Sequence, residues 1–183
     1  MNTVYVFFAD GFEEIEALTV VDVLRRADLK VEMVSIMSET QVTGSHGVTI
    51  VCDALFEECD FSDTLMLVLP GGMLGADYLS KHKGLCELLV DKNKKNIFIS
   101  AICAAPMVLG KLNMLQKRKA TCYPGYESFL KDALVIDEMV VEDANITTAN
   151  GPGAAMNFSL AIVNRLVGKE KMLALIKAMG IKA

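Results

Sequence analysis

The sequence predicts an α/β fold, a mostly parallel sheet with helices on both faces. Three observations predict it. Short apolar runs at 4–9, 31–36, 65–69 and 97–101 are continuous rather than alternating, as strands covered on both faces are. Longer segments with helical spacing separate them. Pro70-Gly71-Gly72 ends one run abruptly, as a strand-to-loop breaker does. At 183 residues, against about 150 per domain, one domain over 1–183 is expected.

In chain order, 4–9 reads as a buried strand, 14–27 as a helix and 31–36 as a second strand. Segment 42–52 has β-formers around Gly44 and Gly47, which predicts a small hairpin or an edge excursion. Residues 65–69 form the next strand. A helix over 85–94 turns strongly polar at its end, and a strand over 97–101 leads to a helix over 104–114. Residues 120–123 read as a short strand. Residues 140–142 and 146–149 flank Asp143-Ala144-Asn145 as a hairpin would, and two helices, 154–167 and 169–179, close the chain. Ligands of such sheets sit outside the carboxyl ends of the strands, so the loops expected to converge are 10–16, 70–75, 102–105 and 123–125.

Apolar residues are 52% and charged residues 22%, a globular composition. With 18 basic and 23 acidic side chains the net charge is −5, which disfavours phosphate-driven nucleic-acid binding and polybasic membrane contact. The longest nearly apolar run, 97–110, is short of the roughly 20 residues a membrane span needs. No basic segment or cleavage pattern precedes the first strand, so a cytoplasmic protein is expected. The five cysteines are odd in number and lack a C-x-x-C, which argues against a disulfide framework, and two histidines offer no zinc set. There is no Walker A and no G-x-G-x-x-G, so nucleotide binding has no support.

Cys103 stands between a strand and a helix, the context of a nucleophile elbow, among the small residues Ala101, Ala104 and Ala105. Unpaired N–H groups and the dipole at a helix start favour a thiolate there. Glu16 shares a helical stripe with Val20, Val23 and Ala27, so its carboxyl is expected to be buried with a raised pKa. Protonated, it would donate a hydrogen bond to a thiolate. Gly71 and Gly72 would let backbone N–H groups form an oxyanion pocket. Alternation in a strand sends Cys122 to the core if Tyr123 faces the site. Cys52, Cys59 and Cys86 read as structural, and His82, within Ser80-Lys81-His82-Lys83, as a solvated surface residue. Leu18 and Val21 fall away from the Glu16 stripe and predict a second partner for the first helix.

Five segments together resemble the ThiJ/PfpI superfamily, in the branch of the parkinsonism-associated redox protein and deglycase. They are Gly11-Phe12-Glu13-Glu14-Ile15-Glu16, Val21-Asp22-Val23-Leu24-Arg25-Arg26-Ala27, Leu69-Pro70-Gly71-Gly72, Ala101-Ile102-Cys103-Ala104-Ala105-Pro106 and Asn150-Gly151-Pro152-Gly153. The resemblance implies a flavodoxin-like three-layer sandwich and a homodimer. It implies Cys103 as reactive nucleophile, Glu16 as its protonated partner, and Gly71, Gly72, Ala104, Tyr123, Gly151 and Pro152 around the pocket. Two departures stand out: Ala104 replaces the histidine that follows the cysteine in the peptidase branch, and Tyr123 stands where many relatives carry histidine.

The expected function is therefore a cofactor-free glyoxalase or deglycase acting on methylglyoxal-type dicarbonyls or early glycation adducts. An oxidative-stress sensor or chaperone, with Cys103 taken to the sulfinate, is the alternative, and a cysteine peptidase or amidase a distant third. No cofactor, metal, nucleic acid or membrane is implied.

Overall fold

The computed structural model describes residues 2–182. In chain order the elements are β1 (Thr3–Phe8), α1 (Glu14–Arg26), β2 (Lys30–Ser35), β3 (Gln41–Thr43), β4 (Thr49–Val51), β5 (Ala54–Leu55), β6 (Thr64–Leu69), α2 (Met73–Lys81), α3 (Lys83–Lys94), β7 (Phe98–Ile102), α4 (Pro106–Lys111), β8 (Lys119–Ala120), β9 (Leu134–Val135), β10 (Val140–Asp143), β11 (Ile146–Ala149), α5 (Ala155–Val167) and α6 (Lys169–Ala178). Seven strands form the central sheet in the order β10-β11-β7-β6-β1-β2-β5. All its pairings are parallel except the β10–β11 hairpin.

The alternation of side chains along β1 builds the three layers. Val4, Val6 and Phe8 point to one face, where they meet Ala17, Val20 and Val23 of α1, Phe158 and Ile162 of α5, and Leu175 of α6. Tyr5 and Phe7 point to the other, where Leu79 of α2, Leu85 and Leu89 of α3 and Val108 and Leu109 of α4 cover them. This is the flavodoxin-like sandwich that the resemblance implied.

Several elements differ from the sequence reading, each for a local reason. Helix α2 was not expected, because Gly75 interrupts its pattern. A Cβ at Gly75 would lie 2.9 Å from the Phe12 Cα, so glycine there lets α2 settle on the 11–12 turn. Helix α4 covers 106–111 rather than 104–114; Ala104 and Ala105 belong to the turn that precedes it. The strand expected over 120–123 shortens to β8, which pairs with the unanticipated β9 in a separate two-stranded sheet. His82 is half-buried rather than a fully solvated surface residue. Its ring caps α3, accepting from the Leu85 N–H at 3.0 Å, and packs edge-on to Phe56 at 4.7 Å. Val21 is buried in the core with the α1 stripe, leaving Ile15 as the exposed apolar residue of that helix.

Candidate active site

The four loops read from the sequence do converge, and the backbone ties them together. The Glu13 N–H donates to the Gly71 carbonyl at 3.1 Å, the Cys103 N–H to the Ala149 carbonyl at 2.8 Å, and the Tyr123 N–H to the Cys103 carbonyl at 2.8 Å. Cys103 is thus held from both sides, at a left-handed φ of 64° that a side-chain-bearing residue rarely adopts. Such strain persists only where the surroundings fix it, and it aims the thiol at the first helix.

Glu16 is fully buried. Helix α1 places it one turn in, where the Glu13 carboxylate caps the helix by accepting the Glu16 N–H at 2.7 Å. The Glu16 Oε2 accepts the Gly71 N–H at 2.8 Å. Its Oε1 is buried with no hydrogen-bond donor directed at it. An ionised oxygen in that position is costly, whereas a protonated one becomes a donor. The nearby acceptor is the Cys103 side chain, which borders Gly71 together with the carboxyl. Burial pushes the Glu16 carboxyl up to about 7, the neighbouring Glu13 charge adds to this, and the contacts with Cys103 and Gly71 oppose it.

The thiol departs from expectation. Burial pushes Cys103 up, and Glu16, when ionised, pushes it further; the Gly72 and Ala104 N–H groups pull it down without prevailing. The dipole argument from sequence thus loses to desolvation. The two side chains titrate as one unit. With a single proton between them, placing it on Glu16 leaves a thiolate that accepts from two backbone N–H groups and a carboxyl.

Glycine is required here. A Cβ on Gly71 would lie 2.4 Å from Glu16 Oε2 and 2.6 Å from Cys103 Cβ. Gly72, at φ 86°, would carry a Cβ 2.1 Å from the Gly11 carbonyl oxygen. Ala104 supplies its N–H to the sulfur. Gly151 lies beneath the Tyr123 ring, where a Cβ would meet Cδ2 at 3.3 Å. Tyr123 itself is exposed and Cys122 buried, although neither lies in a strand. Pro152 opens the short 3-10 turn Pro152–Ala154 that leads into α5.

Sequence reasoning missed Tyr126. Burial raises its phenol pKa, and the charges of Cys103 and Asp77 raise it further. The signal was the three-residue spacing of Tyr123, Tyr126 and Phe129. Also unanticipated is a cluster of Glu13, Glu14 and His46, whose ligand-type atoms lie within 4.8 Å of one another. Glu14 is already engaged there. Its Oε1 accepts the His46 N–H at 2.7 Å and its Oε2 faces His46 Nδ1 at 2.8 Å. Burial opposes the Glu14 charge, but these contacts outweigh it and hold the carboxyl down at about 2.

A family model described as DJ-1/PfpI matches residues 2–165. The chain belongs to the DJ-1/PfpI family. Protein dj-1beta of Drosophila melanogaster is 36% identical over 169 residues, covering 91% of this chain and 90% of the relative. DJ-1 homolog B of Arabidopsis thaliana is 37% identical over 171 residues. The chain spans about two fifths of the length of the Arabidopsis relatives it matches, 39% and 44%. The crystal structure of Drosophila DJ-1beta superposes with a TM-score of 0.95 at 33% identity, over 100% of this chain and 99% of that one. An oxidized Toxoplasma gondii DJ-1 superposes with the same TM-score, 0.95, at 29% identity over the full length of both chains. No helix of this DJ-1/PfpI chain is long and apolar enough among the described residues to cross a membrane.

Proposed function

We propose that this protein is a cofactor-free glyoxalase or deglycase acting on methylglyoxal-type dicarbonyls or their early adducts, with Cys103 as nucleophile and Glu16 as acid and base. The observation that carries this reading is a fully buried carboxyl, pushed up to about 7, that borders Gly71 together with the Cys103 side chain. A group that titrates near neutral pH can both give and take a proton there. The sulfur adds to the aldehyde carbon: a C–S bond forms, the carbonyl π pair moves to oxygen, and that oxygen takes the proton the thiol gives up. Glu16 then removes the proton from that carbon and returns it to the adjacent ketone carbon. The first carbon is oxidised to a thioester while the second is reduced to an alcohol. Water cleaves the thioester, releasing lactate and the thiol. The Gly72 and Ala104 N–H groups are suited to the charge that develops at sulfur and oxygen.

A second reading, an oxidative-stress sensor in which Cys103 becomes the sulfinate, is favoured by two observations: the unpartnered Glu16 Oε1 and the likeness to a DJ-1 described as oxidized. The peptidase reading has less support, since His46 pairs with Glu14 and His82 caps α3. The deciding experiment is lactate formation from methylglyoxal by chelator-treated protein, beside Cys103→Ser and Glu16→Gln. Turnover lost in both variants is expected. Absence of turnover in the wild type, with clean peroxide-driven gain of two oxygens at Cys103, would replace the enzyme with the sensor.

A further inference from the structure

One cluster of chemistry-bearing side chains forms none of the bonds in the reaction above. Glu13 and Glu14 open α1, and His46 lies in the turn of the β3–β4 hairpin. Their ligand-type atoms all lie within 4.8 Å of one another. Each carboxylate is anchored through one oxygen and turns the other toward the imidazole. Glu13 Oε2 accepts the Glu16 N–H at 2.7 Å, and its Oε1 stands 4.0 Å from His46 Nδ1. No donor of the described residues lies within hydrogen-bond distance of that Oε1. Glu14 Oε1 accepts the His46 N–H at 2.7 Å, and its Oε2 stands 2.8 Å from the same Nδ1. The Ser45 N–H, bonded to the Phe12 carbonyl at 2.8 Å, fixes the hairpin turn against the start of the helix. The backbone thus brings the three side chains together independently of their own attraction.

Charge in this cluster is out of balance. Both carboxylate side chains are only 10% exposed, and among the described residues no lysine or arginine pairs with either. The helix start supplies about half a charge, and an imidazolium would supply one more, against two carboxylates. Buried charge left over in this way is costly. We propose that Glu13, Glu14 and His46 form a site for a divalent transition-metal ion of borderline softness, with zinc as the type. Two carboxylates and an imidazole suit such an ion. Copper(I) selects thiolate and thioether ligands, and calcium takes six to eight oxygens, so neither fits. A zinc ion about 2.0–2.2 Å from each ligand atom sets those atoms about 3.4 Å apart. The 4.0 Å pair closes and the 2.8 Å pair opens by about 0.6 Å each to reach that spacing. The backbone N–H groups on the far oxygens orient the ligands, as outer contacts do in metal sites. His46 is 72% exposed, which gives the ion an entry path and leaves its fourth position to water. The site stands apart from the activity proposed for Cys103 and does not rest on it.

The test titrates the untagged full chain, stripped with chelator, with zinc chloride against a chromophoric chelator. One equivalent per chain is expected. His46→Ala and Glu13→Gln should each weaken binding by about tenfold or more, at least the loss that follows from removing an outer contact. Glu13→Gln keeps an oxygen for the Glu16 N–H and puts an amide where the ligand oxygen was. Cys103→Ser should bind as the wild type does. Cobalt loaded in place of zinc should give visible d–d bands and no thiolate charge-transfer band. Zinc should raise the Tm of the wild type and of Cys103→Ser, and leave that of His46→Ala where it is. Metal-free melts establish that each variant folds; should Glu13→Gln not fold, the exposed His46 decides through His46→Ala. A wild type that takes up no zinc, or zinc held equally well by His46→Ala or by a folded Glu13→Gln, would overturn the site. A thiolate band that disappears in Cys103→Ser would overturn it too, by moving the ion to the Cys103–Glu16 pair.

Discussion

A carboxyl raised to about 7 in the folded state and near 4.5 in the open chain makes stability depend on pH in one direction. Below pH 4.5 both states hold the proton and the contribution is fully present. As pH rises through 7 the folded state must ionise a buried group, and the contribution is lost. The interval corresponds to about 3 kcal/mol at about 1.4 kcal/mol per pH unit. Glu16→Gln keeps the shape and has no proton to lose. Urea denaturation of the two proteins at pH 4.5 and pH 8 should therefore show the difference in unfolding free energy moving toward the variant by roughly that amount. A difference that stays level between the two pH values would mean that Glu16 is not a buried acid. Glu16 and Cys103 were legible in the sequence because each breaks a local rule, a charge on an apolar stripe and a thiol at a strand end. The direction of the thiol shift was not legible. It depends on how completely residues from four loops exclude water, which no single segment records.

Among the elements, the β3–β4 hairpin meets α1 through the Glu14 carboxylate, beside the buried Val42 and the Ser45 N–H bond to the Phe12 carbonyl. Glu14 accepts the His46 N–H at 2.7 Å, and Gly44 leaves room for it, since a Cβ there would meet Oε1 at 2.4 Å. Removing the carboxylate takes the partner from the His46 and Val48 N–H groups, which water can then reach, so Glu14→Ala should cost about 1 kcal/mol and speed hydrogen exchange in residues 44–48. Exchange as slow as in the wild type would place the hold elsewhere. The long strands and helices were read correctly because continuous apolar runs and helical stripes record burial directly. Helix α2 was missed because Gly75 serves a contact with Phe12 at the expense of helical pattern. Strands β5, β8 and β9 span two residues each and carry no periodicity to read.

At the scale of the whole molecule, the clasp sets Ile15 of α1 beside a hairpin whose Val48 and Val51 are also exposed. Val21, which the sequence assigned to this face, is covered within the chain. A face built from two adjoining elements with three large apolar side chains suits a second copy of itself. Light scattering at micromolar concentration should give about twice the chain mass of 19.9 kDa, and Val51→Glu should bring it toward that of one chain. A wild type that scatters as a single chain would remove the dimer. The order of strands has a consequence during synthesis. β7, which ends one residue before Cys103, lies between β6, made earlier, and β11, made later, and the Cys103 N–H is bonded to Ala149 of β11. A ribosome adding about 5–20 residues per second therefore exposes the thiol and an open strand edge for a few seconds before their cover exists. In that interval the nascent chain offers both an unprotected cysteine to oxidants and a template for wrong pairing, and the last third of the chain ends both hazards at once.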